Sequence, residues 1–227
     1  MNTATLNYID KIDGRIDARR LLDHPFYRAW TKGELSLDSL RDYASQYYRH
    51  VKAFPTYLSA VHAQTEDIES RREILQNLND EEAGNPNHPD LWVRFGEGLG
   101  LSRGEMEEVD IQPETSNLID TFRSACRERG TAAGLAALYA YESQIPAVSE
   151  SKIEGMKKHY GIDDPATLSY FTVHIEADKE HSAVERDLLA RYLDDSNAAT
   201  AIKSVDEILD ALYGILDGVC RRHGIAC

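Results

Sequence analysis

His174, Asp178 and His181 combine one carboxylate and two imidazoles within eight residues. If this segment is helical, at about 100° per residue the three fall within roughly 60° of one another and project to one side. Imidazole nitrogen and carboxylate oxygen are donors for divalent transition metals. Without thiolate, the set suits iron or manganese better than structural zinc. Asp178-Lys179-Glu180-His181 also has the carboxylate-x-x-His spacing that helical bundles use to hold metal pairs.

Two further segments aim a carboxylate at the same place. Ile74 and Leu78 define an inner face that continues to Glu81; Leu135, Leu138 and Tyr139 define another that continues to Glu142. His88 follows Glu81 in a polar loop, close enough in sequence to return to it. Burying three carboxylates without compensation would cost several kcal/mol each or force protonation. Two divalent cations would bring four positive charges against those three. A lone His or Glu on such a face is more often hydrogen-bonded than ligating, so spacing leaves both readings open. The carboxylate-x-x-His motif occurs once rather than twice, which disfavours an ordinary ferritin-like arrangement.

The elements that must position these residues are helices, because apolar residues recur with helical period nearly end to end. The pattern predicts a first helix over Leu6–Leu22, ended by Asp23-His24-Pro25. A long helix capped by Ser36 carries Tyr43, Tyr47, Val51, Phe54 and Leu58 on one stripe and should bend at Pro55. A third helix covers Ile68–Glu82, and Ala83–Asp90 is a loop by its Gly, Asn and Pro content. Short helices follow over Trp92–Leu99 and Pro113–Arg129. A strongly apolar one runs from Thr131 to Tyr141, with a kink near Pro146. The last two are Ala166–Leu193 and Ala198–Arg222. No window reads as a strand. The expectation is an all-α bundle of seven to eight helices forming a single domain over residues 1–227.

Composition narrows the function classes. The 227 residues carry 39 acids against 25 Lys and Arg, a formal charge of -14. Such a surface repels phosphate backbones and anionic lipid, so no nucleic-acid and no membrane partner is expected. The apolar share of 42% excludes a disordered acidic chain. Cys126, Cys220 and Cys227 form no disulfide framework and fit a reducing compartment. MNTATLNYIDKIDGRIDARR lacks the apolar region of a secretory signal, and Gly134–Tyr141 is far too short to span a bilayer. A cytoplasmic protein is therefore expected. Cys220, His223 and Cys227 read as an unstructured tail in preference to a metal clip. Twelve tyrosines against five phenylalanines put a hydroxyl on most aromatic positions.

Four segments carry a resemblance across nearly the whole chain: HPFYRAWTKGELSLDSLRDYASQYYRHVKAFPTYLSAVH, NLNDEEAGNPNHPDLW, AALYAYESQIPAVSESKIEG and SYFTVHIEADKEHS. They resemble the CADD proteins (Chlamydia protein associating with death domains), a branch of the haem-oxygenase-like dimetal oxidases related to the PqqC proteins of pyrroloquinoline-quinone synthesis. The resemblance implies a haem-oxygenase-like bundle with a central dimetal site, Fe/Fe or Fe/Mn. It places the ligands on Glu81, His88, Glu142, His174, Asp178 and His181, the positions the helical faces had singled out.

The resemblance also implies an activity: p-aminobenzoate production for folate synthesis, with dioxygen as co-substrate. In that family the enzyme is thought to consume one of its own tyrosine side chains, with an internal lysine giving the amino nitrogen. The matching residues are Tyr27 in HPFYRAW and Lys152 in SESKIEG; Tyr43, Tyr141 and Tyr170 lie in matching segments. From the residues alone, a buried tyrosine is most often hydrogen-bonded core, and Lys152 also reads as a solvated helix residue. Two other functions are carried forward: a dimetal oxidase acting on an external small molecule, and a death-domain-type interaction protein. A homodimer is expected for this fold.

Overall fold

A computed structural model describes residues 3–227; Met1 and Asn2 of the N-terminal segment lie outside the described residues. Among the described residues there are eleven α-helices and no strand. α1 spans Thr3–Ala18, α2 Pro25–Lys32, α3 Leu37–Gln64 and α4 Ile68–Glu82. α5 spans His88–Gly98, α6 Arg103–Glu108, α7 Pro113–Glu128 and α8 Thr131–Glu142. α9 covers Ile145–Gly155, α10 Ser169–Tyr192 and α11 Ala198–His223.

The all-α architecture agrees with the periodicity; the helix count exceeds the expected seven to eight because prolines start helices here as well as ending them. Pro25 opens α2, a helix absent from the sequence reading, with His24 as its cap: the His24 ring accepts from the Phe26 N–H at 3.1 Å. Pro146, expected to kink a helix, occupies the first turn of a separate one, α9. α6 was also unforeseen, and is held by a reciprocal capping box between Ser102 and Glu105. α1 ends at Ala18 rather than Leu22, and a 3₁₀ turn over Leu21–Asp23 follows. α10 begins at Ser169 rather than Ala166, because the Asp164 carboxylate accepts from the Thr167 N–H and hydroxyl at 2.8 and 2.9 Å and holds a turn there.

The long α3 is capped as expected, Ser36 accepting from the Ser39 N–H at 3.1 Å, and it runs continuously past Pro55. α8 is the central element. Every residue from Ala132 to Glu142 is buried, and the helix packs on α3, α7, α10 and α11. Its small residues allow that close approach: a Cβ on Gly134 would lie 2.6 Å from Val61 Cγ2 on α3 and 3.3 Å from Cys126 Cα on α7. A helix so enclosed can carry an ionisable group only where something inside the bundle compensates it. The one carboxylate it carries is Glu142.

The C-terminal segment corrects a further expectation. α11 stays helical through His223, Gly224 caps it in the left-handed region at φ 65°, and the returning chain joins Cys227 to Cys220 in a disulfide. His223 pairs with Asp42 at 3.1 Å instead of joining a metal clip. Cys126 is buried, as expected. No described helix is long and apolar enough to cross a membrane.

Candidate metal centre and buried lysine

Glu81 lies in the last turn of α4 on its inner face, and His88 is the first residue of α5, not part of the preceding loop. Asn87 caps α5 by accepting from the Asp90 N–H at 3.0 Å, which turns the chain back so that His88 Nδ1 lies 2.9 Å from Glu81 Oε1. His174, on α10, brings Nε2 to 3.8 Å from the same oxygen. All three are buried. His174 Nδ1 sits 2.6 Å from the Tyr170 carbonyl, which can only accept, so Nδ1 carries a proton. Nε2 is therefore the nitrogen that faces Glu81, the arrangement by which metal-binding histidines are oriented. Burial alone would raise the Glu81 pKa, but the His174 and His88 imidazoles beside it outweigh burial and hold the carboxyl at about 2.

A second group is built from α8 and α10. His181 Nδ1 lies 3.5 Å from Asp178 Oδ1 and 3.8 Å from Glu142 Oε1. Its other nitrogen donates to Asp80 Oδ2 at 3.1 Å, which again leaves one ring nitrogen for the cluster. Asn77 Nδ2 donates to both Glu142 oxygens at 3.1 Å. Burial nevertheless pushes the Glu142 pKa up, and the nearby Asp178 charge adds to it. Burial lowers the His181 pKa, but the surrounding carboxylates reverse this and raise it to about 9.

Glu81, His88 and His174 form one set whose donor atoms all lie within 4.8 Å of one another; Glu142, Asp178 and His181 form another. A cavity of about 10 Å³ lies between them, walled by Glu81 and His174 from the first, Glu142 and Asp178 from the second, and Tyr141 and Tyr170. Asp178 Oδ2 and His181 Nδ1 are buried without hydrogen-bond partners. Unpaired buried donors of mixed oxygen and nitrogen type, divided into two sets that share one cavity, are consistent with a dinuclear metal centre.

The five tyrosine and lysine positions fall into two neighbourhoods. Tyr141 and Tyr170 border the cavity between the two donor sets, and the Tyr170 ring stacks on His174 with centroids 4.0 Å apart. Tyr27, Tyr43 and Lys152 meet beyond it. Lys152 is 3% exposed, which overturns its reading as a solvated residue. Its Nζ donates to the Tyr43 hydroxyl at 2.7 Å, and Tyr43 is 3.3 Å from the Tyr27 hydroxyl. Burial pushes the lysine pKa well below 10.5 and holds the Tyr27 and Tyr43 phenols above their ordinary value.

Sequence reasoning missed the residues that join and support these groups. The Trp92 ring lies 5.0 Å from Tyr47 and 4.8 Å from Tyr170, bridging the lysine side to the metal side. Tyr47 lies 5.2 Å from Tyr43 between ring centroids and donates to the Tyr141 hydroxyl at 2.9 Å. Asn77 and Glu185 were findable, since each lies four residues from a ligand candidate on the same helical face. Asp80 carries no such signal, because it precedes Glu81 off the inner stripe.

Residues 41–213, more than half of the chain, match the model of a haem-oxygenase family described as iron-containing redox enzymes. A 4-aminobenzoate synthase from Chlamydia muridarum is 42% identical over 213 residues, covering 94% of this chain and 90% of the relative. A 4-aminobenzoate synthase from Nitrosomonas europaea is 43% identical over 230 residues, covering 97% of this chain and 94% of the relative. Among solved structures, a TenA homologue from Pseudomonas syringae pv. tomato superposes with a TM-score of 0.81 at 17% identity, covering 95% of this chain and 92% of that one, which shows a shared fold. This chain belongs to the haem-oxygenase-like family of iron-containing redox enzymes and is an oxidoreductase.

Proposed function

We propose that this protein makes 4-aminobenzoate by oxidising its own Tyr27 side chain, with Lys152 as the source of the amino nitrogen. The observation that carries the proposal is the buried Lys152 amine, hydrogen-bonded to Tyr43 beside the Tyr27 ring. The relatives named 4-aminobenzoate synthase support the product.

The carbon count suits the substrate. A tyrosine ring and its Cβ contain the seven carbons of a benzoate, with the phenol oxygen para to the carbon that becomes the carboxylate. The Cα–Cβ bond must break and Cβ must be oxidised to the carboxylate, the ring C–O bond must give way to C–N, and the Lys152 Cε–Nζ bond must break to free the amine, leaving an oxidised lysine side chain; the oxidising equivalents would come from dioxygen. Lys152 supplies an amine that burial deprotonates, which makes it a nucleophile. Tyr43 holds that amine by a hydrogen bond and keeps the Tyr27 hydroxyl within reach, which removes most of the orientational cost of their meeting. Tyr47, Trp92 and Tyr170 line up between the two neighbourhoods as aromatic stepping stones for electrons. Glu81, His88 and His174 would hold one metal, and Glu142, Asp178 and His181 the other. A bound pair of redox metals would supply dioxygen activation and the oxidising power that both changes require.

The test is anaerobic loading of reduced protein with iron, or iron plus manganese, then exposure to oxygen. Product is expected without added substrate, at no more than one equivalent per chain, with a mass loss mapping to Tyr27. Full product from both Tyr27→Phe and Lys152→Arg would refute the donor assignments. One observation favours a second reading: a cavity of about 80 Å³ with a largely apolar wall, including Leu58, Leu135 and Leu138, reaches His181. A small external substrate entering there would give sustained multiple turnover, which self-consumption does not allow.

A further inference from the structure

Glu185 is a buried carboxylate that the proposed reaction leaves unused. It is 3% exposed, and neither of its oxygens has a hydrogen-bond donor. It follows His181 by four residues on α10, and at about 100° per residue it falls inside the arc already occupied by His174, Asp178 and His181. Its carboxyl faces that of Glu142, near enough for the two to share one proton. With His181 and Asn77 it also walls the 80 Å³ cavity, so there is space beside it for a change of rotamer without disturbing the core.

A group in this position should have a donor, since nearly all buried polar side chains do. The candidates nearby are already engaged. Asn77 directs its amide N–H groups to Glu142 and His181 directs Nε2 to Asp80, while His181 Nδ1 faces Asp178 and Glu142 without a hydrogen bond to either. Placing a fourth carboxylate beside Glu142 and Asp178 adds repulsion in a low-dielectric interior, where an uncompensated charge costs several kcal/mol even after relaxation. Two divalent cations remove the difficulty. Glu81, Glu142 and Asp178 leave such a pair with one net positive charge, and Glu185 brings the cluster to neutrality.

We infer that Glu185 is a further metal ligand, acting at the position held by Glu142, Asp178 and His181. The inference rests on the dimetal reading of the site. That position then has three carboxylates and one imidazole, against one carboxylate and two imidazoles at the other. The two metals sit in unlike fields, so the second position favours the harder ion.

Anaerobic titration of the full-length metal-free protein with iron(II) tests this, with bound iron counted by elemental analysis after desalting and affinities read by calorimetry. Wild type is expected to hold two ions. Glu185→Gln should hold the first with wild-type affinity and the second roughly 10–100-fold more weakly. Wild-type affinity for both ions in Glu185→Gln would make Glu185 a buried neutral acid and overturn the inference while leaving the dimetal reading intact. A wild-type protein that bound no iron would overturn both. Where Glu185→Gln does not fold, Glu185→Asp decides the matter. The shorter carboxylate weakens the second ion if residue 185 ligates it, and an unchanged second affinity refutes that.

Discussion

Lys152 faces two opposed influences. Six aromatic rings surround its Nζ with centroids between 4.9 and 5.8 Å away. Ring faces favour an ammonium by about 2 kcal/mol when it is desolvated. Full burial of an unpaired ammonium costs several kcal/mol. Burial prevails, and the pKa lies well below 10.5. The sign for stability follows from the proton count. Between the lowered folded pKa and 10.5, the unfolded chain binds a proton that the folded chain does not, so stability rises with pH across that window. The slope from this one group is at most about 1.4 kcal/mol per pH unit. Scanning calorimetry of metal-free protein over a pH series should show Lys152→Met melting higher than wild type near neutrality, with the gap closing as pH approaches 10.5. A constant gap would mean that the buried amine stays charged. A second residue-scale prediction concerns Asp80, which fixes the His181 ring from a position 44% exposed. Asp80→Asn should weaken iron binding by roughly tenfold, the low end for an orienting partner, because water can replace part of the contact. Equilibrium dialysis measures the change.

At the scale of elements, the crossing of α8 with α3 and α7 decides whether Glu142 arrives at the cluster. Gly134 allows that crossing, since an added Cβ would meet a Val61 methyl at 2.6 Å and the α7 backbone at 3.3 Å. Gly134→Ala should therefore destabilise the protein by about 1–3 kcal/mol, the usual range for overpacking a filled core. Urea denaturation reads this directly. Metal affinity should fall with it, because Glu142 lies two turns further along the displaced helix. Gly214, in α11, is the matched control: a Cβ there meets nothing within 4 Å. Gly214→Ala should gain up to about 1 kcal/mol from helix propensity and leave metal binding alone. Equal losses at both positions would show that the effect is not steric.

For the molecule as a whole, metal binding at the proposed centre would be coupled to folding. The centre would draw donors from the adjacent α4 and α5, from α8 and from α10, three stretches that are far apart in sequence and meet only in the folded bundle. A ligand that binds only the folded state stabilises it by about 2.7 kcal/mol at a hundred times its Kd. For a chain of this length that corresponds to a rise in Tm of roughly 5–10 °C. Chelation should lower Tm by this order, and iron(II) added without oxygen should restore it. An identical Tm for metal-free and metal-loaded protein would argue that the buried carboxylates are compensated in some other way.

Residue types and helical period were enough to place Glu81, Glu142, His174, Asp178 and His181 on inward faces, because a 3.6-residue repeat fixes which side chains share a side. The same repeat fixed the all-α class and most helix bounds. Position on a face says nothing of distance across the bundle. The division of the donors into two sets, the meeting of Lys152 with Tyr43 and Tyr27, and the bridge through Trp92 depend on how helices remote in sequence cross, and local pattern carries no record of that. Asp80 and Glu185 show the same limit from two sides. Asp80 lies off the inner stripe and reaches His181 only because α4 packs beside α10; Glu185 lies on the stripe but reads as one more acid in a chain with 39 acidic residues. Sequence settled which groups face inward, since that is a property of one helix; tertiary structure decided which of them touch, since a contact belongs to two.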